Sequence, residues 1–199
     1  VPARFVGHPI ADEIPDQVSA AAARQDLGLP AGIVVGILPG SRLSEVSRLG
    51  GIFAATASRL ARELGAVSFV APMANPVVAE VFASQVREHA PRCDIRLIDG
   101  QARTAMAASD LVLVASGTAT LEAMLLQRPM VVAYRLAPAT YWAARSLRLV
   151  RSRFFSLPNI LAEAPLVPEF LQSQVTPEVL SARQEESRCQ KGCAQAGHK

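Results

Sequence analysis

LVLVASGTATLEAMLLQRPMVVAYR (residues 111–135) contains one complete strand–helix–strand unit. Leu111 to Ala115 is an unbroken apolar run, too short for a helix and suited to a parallel strand buried on both faces. Ser116, Gly117 and Thr118 form a tight turn, and a helix is expected from Thr118 to about Leu126, with Leu121, Met124 and Leu125 at helical spacing. Arg128-Pro129 ends it, and Met130 to Tyr134 is the next buried strand. Such units build parallel sheets. The small-residue turn opens a helix, where free backbone N–H groups and the helix dipole favour an anion. Glu122, four residues after Thr118, would repel a phosphate; it can accept hydrogen bonds from sugar hydroxyls beside one, or simply complement the helix dipole.

The same grammar extends towards the N-terminus. Ile33–Leu38, Val67–Ala71 and Asp94–Ile98 read as strands, and helices are expected over Ser19–Leu27, from Arg42 to about Leu64, from Asn75-Pro76 to about His89 and over Ala102–Ala108. Asn at the cap with Pro at the first helical position marks the third of these. The strict alternation predicts an α/β fold, a Rossmann-like doubly wound parallel sheet with helices on both faces. Ligands in such sheets sit beyond the carboxyl ends of the strands, so the informative turns are 39–42, 72–75, 99–103, 116–118 and 134–138. Pro39-Gly40-Ser41-Arg42 with Glu45 repeats the pattern of the 116–122 turn: small residues allow close approach, Ser41 can cap the helix, and Arg42 offers a forked cation to phosphate oxygens or stands solvated.

Composition narrows the classes. The chain has 199 residues, half of them hydrophobic but only 5% aromatic, so the core is built from Ala, Leu and Val. A net charge of +3 is too small to indicate nucleic-acid binding. No apolar run approaches the ~20 residues of a membrane span. No secretory signal is present, and three scattered cysteines fit a reducing compartment. The chain begins VPARFVGHP without an initiator methionine and is expected to be the later part of a longer protein. GxxxxGK[ST], GxGxxG and GxSxG are all missing, which argues against a P-loop, a dinucleotide fingerprint and a serine hydrolase. There is no Asp-x-Asp pair for a divalent cation, and Cys189, Cys193 and His198 supply only three ligands, so neither metal nor cofactor is expected. His8, between Gly7 and Pro9, suits a hinge, a site edge or a plain turn.

After Arg135 the texture changes. A helix is expected over Pro138–Leu147, carrying Tyr141 and Trp142. From Glu122 to Glu163 no acidic residue intervenes, while Arg128, Arg135, Arg145, Arg148, Arg151 and Arg153 all fall there. This is a solvated basic face or a contact for an anionic membrane surface. A short helix is expected near Thr176-Pro177-Glu178. Residues 181–199, polar and without apolar periodicity, are expected to be a disordered tail.

FVGHPIAD (5–12), LPGSRLSEV (38–46), SGTATLEAML (116–125), PMVVAYR (129–135) and SLPNILA (156–162), in this order and spacing, resemble the lipid-A-disaccharide synthase family over roughly residues 1–180. The resemblance implies the C-terminal domain of an inverting, metal-independent GT-B glycosyltransferase: an interdomain linker at 1–10 and a UDP-sugar-binding domain at 11–180. The implied donor is UDP-2,3-diacylglucosamine, the acceptor 2,3-diacylglucosamine 1-phosphate (lipid X), and the place the cytoplasmic face of the inner membrane, with a possible homodimer. It assigns Arg42, Gly117 and Thr118, with Ser41 beside them, to the diphosphate, Ser116 to the UDP-sugar site at large, Glu122 to the ribose and Asn159 to the donor sugar or diphosphate, and it puts the general base in an N-terminal domain outside this chain. Two other readings stay open: a UDP-N-acetylglucosamine epimerase of the same architecture, and a non-enzymatic nucleotide-binding module.

Overall fold

The computed structural model describes Ile14, residues 18–137 and residues 154–196, the last nine of these by backbone alone. In chain order the elements are α1 (Ala20–Asp26), β1 (Ile33–Leu38), α2 (Leu43–Leu64), β2 (Val67–Met73), α3 (Pro76–His89), β3 (Ile95–Asp99), α4 (Ala102–Ala108), β4 (Leu111–Ala115), α5 (Thr118–Leu125), β5 (Met130–Tyr134), α6 (Leu157–Ala162), β6 (Glu169–Leu171) and α7 (Pro177–Ala196). The strands form one sheet in the order β3-β2-β1-β4-β5-β6, every pair parallel. The expected strand–helix alternation is present, with boundaries within two residues.

Both sheet faces are covered, as the apolar central strands β1, β4 and β5 require. Side chains alternate along each strand. Val35, Ile37, Leu111 and Leu113 enter a core shared with Leu49, Phe53 and Leu60 of α2, Phe82 of α3 and Leu180 of α7. Val34, Leu38, Val112 and Val114 enter the opposite core with Leu27, Met106 and Leu126, on the side of α1, α4 and α5. Local signals set the helix starts: Asn75 Oδ1 accepts from Val78 N at 3.0 Å, and Ser19 Oγ accepts from Ala22 N at 3.2 Å.

Three parts differ from expectation. The short strand β6 pairs with β5 (Val132 with Glu169, Tyr134 with Leu171) although its three residues carry no alternation. The SLPN phrase opens a helix, α6. Residues from 181 do not form an unstructured tail; they continue α7 to Ala196. The helix expected near Thr176-Pro177-Glu178 is thus present and longer; its continuation was hidden because small and polar residues form part of its buried face: Ser181 is 1% exposed and Gln184 is fully buried, next to Leu180. Arg59 of α2 fastens it, donating to Ser181 Oγ at 3.2 Å and lying 3.6 Å from Glu178. The expected linker at 1–10 with His8, the expected helix at 138–147 and His198 lie outside the described residues, and so do the side chains of Cys189 and Cys193.

Candidate functional site

The strand order reverses beside β1: β2 and β3 lie on one side, β4 to β6 on the other. The chain therefore leaves β1 and β4 in opposite directions, and a crevice opens between their carboxyl ends. A cavity of about 420 Å³ occupies that position, within the range of small-molecule sites, about 300–1,000 Å³. Gly40, Ser41, Arg42 and Glu45 line it from the turn after β1. Pro72 to Ala74 come from the end of β2 and the turn that follows, Gly100 and Ala102 from the turn after β3, and Ser116 to Ala119 with Glu122 from that after β4. Four of the five expected turns thus meet. The fifth, after β5, is closed off: Arg135 Nε and Nη2 donate to the carbonyls of Gln172 and Val175, and Leu136 N donates to Gln172 Oε1.

At the β4 turn, Gly117 is the N-cap of α5 and no side chain caps the helix. The amides of Thr118 and Ala119 stand in the first turn, where no intrahelical acceptor exists. Gly117 lines the cavity, and a Cβ built on it would meet no atom within 4 Å, so the protein leaves open space beside it. Thr120 Oγ1 turns back to Gly117 O at 2.7 Å, and Ser116 Oγ donates to Phe155 O at 3.0 Å. The Ser116 hydroxyl therefore spends its proton on the returning chain. Glu122 lies a turn inside α5, its side chain 20% exposed, with Arg103 Nε 4.0 Å from its Oε2. It does not cap the helix. Arg103, in the first turn of α4, was not singled out from the sequence, although its turn was.

The β1 turn is built differently. Arg42, not Ser41, is the N-cap of α2. Glu45 Oε2 accepts from the amides of Ser41 (3.1 Å) and Arg42 (3.3 Å), and Glu45 Oε1 pairs with Arg42 Nη1 at 3.2 Å. The Arg42 side chain is nevertheless 79% exposed.

Asn159 is the expected site residue that the fold does not bring to the cavity. It is fully buried. Its Nδ2 donates to Val167 O at 2.8 Å and its Oδ1 accepts from Val167 N at 2.9 Å, so both ends of the amide clamp the loop between α6 and β6. Nearby, the Glu169 carboxylate accepts from the amides of Phe155 and Ser156 and caps α6. These contacts, with a stacked Tyr134–Phe155 pair at 6.4 Å, seat the 154–171 segment against β5 behind the site.

Among the described residues no three His, Cys, Asp or Glu side chains stand together as a metal site. Cys93 lies away from the cleft, and burial, with Asp94 adding, pushes its thiol up to about 11. Of the basic cluster, Arg128 is half-buried at the amino ends of the strands, where burial lowers its pKa and Asp110 opposes that effect. Arg128 and Arg135 are therefore structural, and Arg145, Arg148, Arg151 and Arg153 fall outside the described residues.

Comparison with known proteins places these features in a family. The model of the lipid-A-disaccharide synthetase family matches residues 1–196, beyond the 1–180 expected from the motifs. The lipid-A-disaccharide synthase of Pseudomonas putida (strain W619) is 52% identical over 181 residues, which cover 91% of this chain and 47% of that protein. That of Xylella fastidiosa (strain M23) is 52% identical over 184 residues, covering 92% and 48%. The chain spans about half the length of the curated relatives it matches. Among solved structures, Escherichia coli ADP-heptose lps heptosyltransferase II superposes with a TM-score of 0.61 at 16% identity, over 88% of this chain and 54% of that one, a likeness of fold.

Proposed function

The chain belongs to the lipid-A-disaccharide synthetase family, and from that premise we propose that it is the UDP-sugar-binding half of a lipid-A-disaccharide synthase of GT-B architecture. The whole enzyme moves 2,3-diacylglucosamine from its UDP carrier to lipid X. An acceptor hydroxyl attacks the anomeric carbon, the bond from that carbon to the diphosphate oxygen breaks, and UDP leaves with the electron pair. The hydroxyl proton passes to a base that the remainder of the protein provides.

One observation carries this reading: two anion-favouring turns, after β1 and after β4, share a single cleft at the switch point of the sheet. The leaving diphosphate gains negative charge, and groups already in place to meet that charge lower the barrier. The open space beside Gly117 lets a phosphate reach the Thr118 and Ala119 amides, and Arg42 closes from the opposite rim. Glu122 is set back from those amides and accepts from the ribose hydroxyls, with Arg103 holding its carboxylate.

Calorimetry with UDP, uridine and a 2′,3′-dideoxyribose analogue of UDP tests these roles. UDP is expected to bind much more tightly than uridine. Glu122→Ala should cost UDP about 1.5–3 kcal/mol, the range for hydrogen bonds to a charged partner, and should cost the dideoxy analogue far less. Equal affinity for UDP and uridine would remove the diphosphate assignment, and an equal loss for UDP and its analogue the ribose assignment.

We extend the proposal to peripheral attachment at the cytoplasmic face of the inner membrane. Among the described residues no helix is long and apolar enough to cross a membrane. Directly after the basic segment, however, Ile160, Leu161 and Leu166 are 42%, 65% and 62% exposed. Large apolar side chains beside a run of arginines suit an anionic lipid surface. Vesicle sedimentation should show salt-sensitive binding to anionic lipid that Arg148→Ser with Leu161→Ser weakens. Equal binding to neutral and anionic vesicles would contradict it.

A further inference from the structure

In the turn after β1, Glu45 already holds the groups that a phosphate would use. Its carboxylate takes the amides of Ser41 and Arg42 and one arm of the Arg42 guanidinium. The contact depends on Gly40: a Cβ there would stand 2.6 Å from Glu45 Oε2. Gly40 also has φ +123°, a conformation that side chains rarely adopt. All of these residues line the cavity. The turn after β4 has no such occupant, because Glu122 lies towards Arg103. Of two anion-type turns on one cleft, one is filled by the protein's own carboxylate.

We propose that Glu45 is a positioning residue that holds Arg42 at the cleft rim and competes with the diphosphate for it, so that Glu45 weakens UDP binding. The inference rests on the reading of the cleft as a UDP site. The Glu45 side chain is 18% exposed and that of Arg42 79%. The pair is therefore open to solvent on the arginine side, and such a pair is readily broken. The guanidinium carries five donors, of which Glu45 engages one nitrogen, so Arg42 can turn to a phosphate while Glu45 keeps the two amides. Until it turns, an arriving diphosphate meets a neutralised arginine and a repelling carboxylate.

The test is a double-mutant cycle on the 199-residue chain, read by calorimetry with UDP and uridine. Glu45→Gln keeps an acceptor for the amides and removes the charge. It should tighten UDP about two- to fivefold, the size of one partly exposed ion pair, and leave uridine unchanged. In an Arg42→Ala background that gain should largely vanish. Buried residues from Val46 to Leu60 anchor α2 along its length, so the loss of one capping charge should leave the helix folded. Should Glu45→Gln fail to fold, Glu45→Asp retracts the carboxylate by one methylene and is expected to give a smaller gain in the same direction. UDP binding by the parent chain with no gain in either variant would overturn the inference alone. An equal gain with and without Arg42 would reduce Glu45 to simple repulsion and overturn its positioning role. Failure of the parent chain to bind UDP would remove the site reading and this inference with it.

Discussion

Gly117→Ala separates a ligand role from a structural one by a single methyl group. The φ of Gly117 is 161°, extended backbone that alanine adopts, and the added Cβ meets nothing in the protein. Exchanging glycine for alanine at an N-cap costs about 1 kcal/mol of stability. If a phosphate lies against the α5 amides, the same methyl collides with it. UDP affinity should then fall about tenfold, in line with the 1–3 kcal/mol of an overpacked contact. An unchanged affinity in a folded variant would mean that no ligand approaches this turn. The two cleft glutamates show how much a residue discloses by its position in sequence. Each follows a small-residue turn, yet Glu45 caps its helix while Glu122 does not. The deciding factor is offset. Glu45 is the third residue of its helix and reaches back to the N-cap amide, whereas Glu122 is the fifth of its own and points elsewhere. Asn159 was assigned to the donor on motif resemblance, and its fully buried amide serves the Val167 backbone instead.

At the scale of elements, β1 to β5 and the helices between them were legible because each leaves a complete local signature. The strands are apolar runs with punctuation at both ends, and the helices have recognisable caps, such as Asn75 before Pro76. β6 was not legible, because three half-buried residues become a strand only by pairing with β5. The start of α7 at Thr176-Pro177 was legible, but its length was missed for a related reason. Ser181 and Gln184 go inside with Leu180, so its buried face does not register as hydrophobic periodicity. The two readings of this end of the chain predict opposite results. Ending the chain after Leu180 strips away Ser181 and Gln184, breaks the Arg59–Ser181 bond and leaves too little helix to cover Val175 and Leu180. A loss of about 2–4 kcal/mol is expected, comparable to emptying one large core position, and a thermal melt should show it as a clear drop in midpoint. A disordered tail could be removed with no change in the melting curve.

For the whole molecule, the sheet order is what turns separate motifs into a site. LPGSR and SGTATLE are more than 70 residues apart. They meet because β1 and β4 pair directly (Val35 with Leu111, Leu38 with Val114) and the chain departs from them to opposite sides. The alternation of strands and helices foretold such a crevice and the turns that would border it. It did not foretell that the β5 turn would be closed by Arg135, or that Arg103 would lie 4.0 Å from Glu122. Both are tertiary contacts with no local signal. If UDP lies across the β1 and β4 turns, an amide NMR titration of the chain with UDP will show it. Saturable shifts are expected at Gly40 to Arg42 and at Gly117 to Ala119, while the amides of a separate groove between α2 and α3, lined by Ser47, Gly51, Gln85 and His89, stay in place. Binding that shifts that groove and leaves the two turns unmoved, or no saturable shift at either turn, would contradict that placement of UDP.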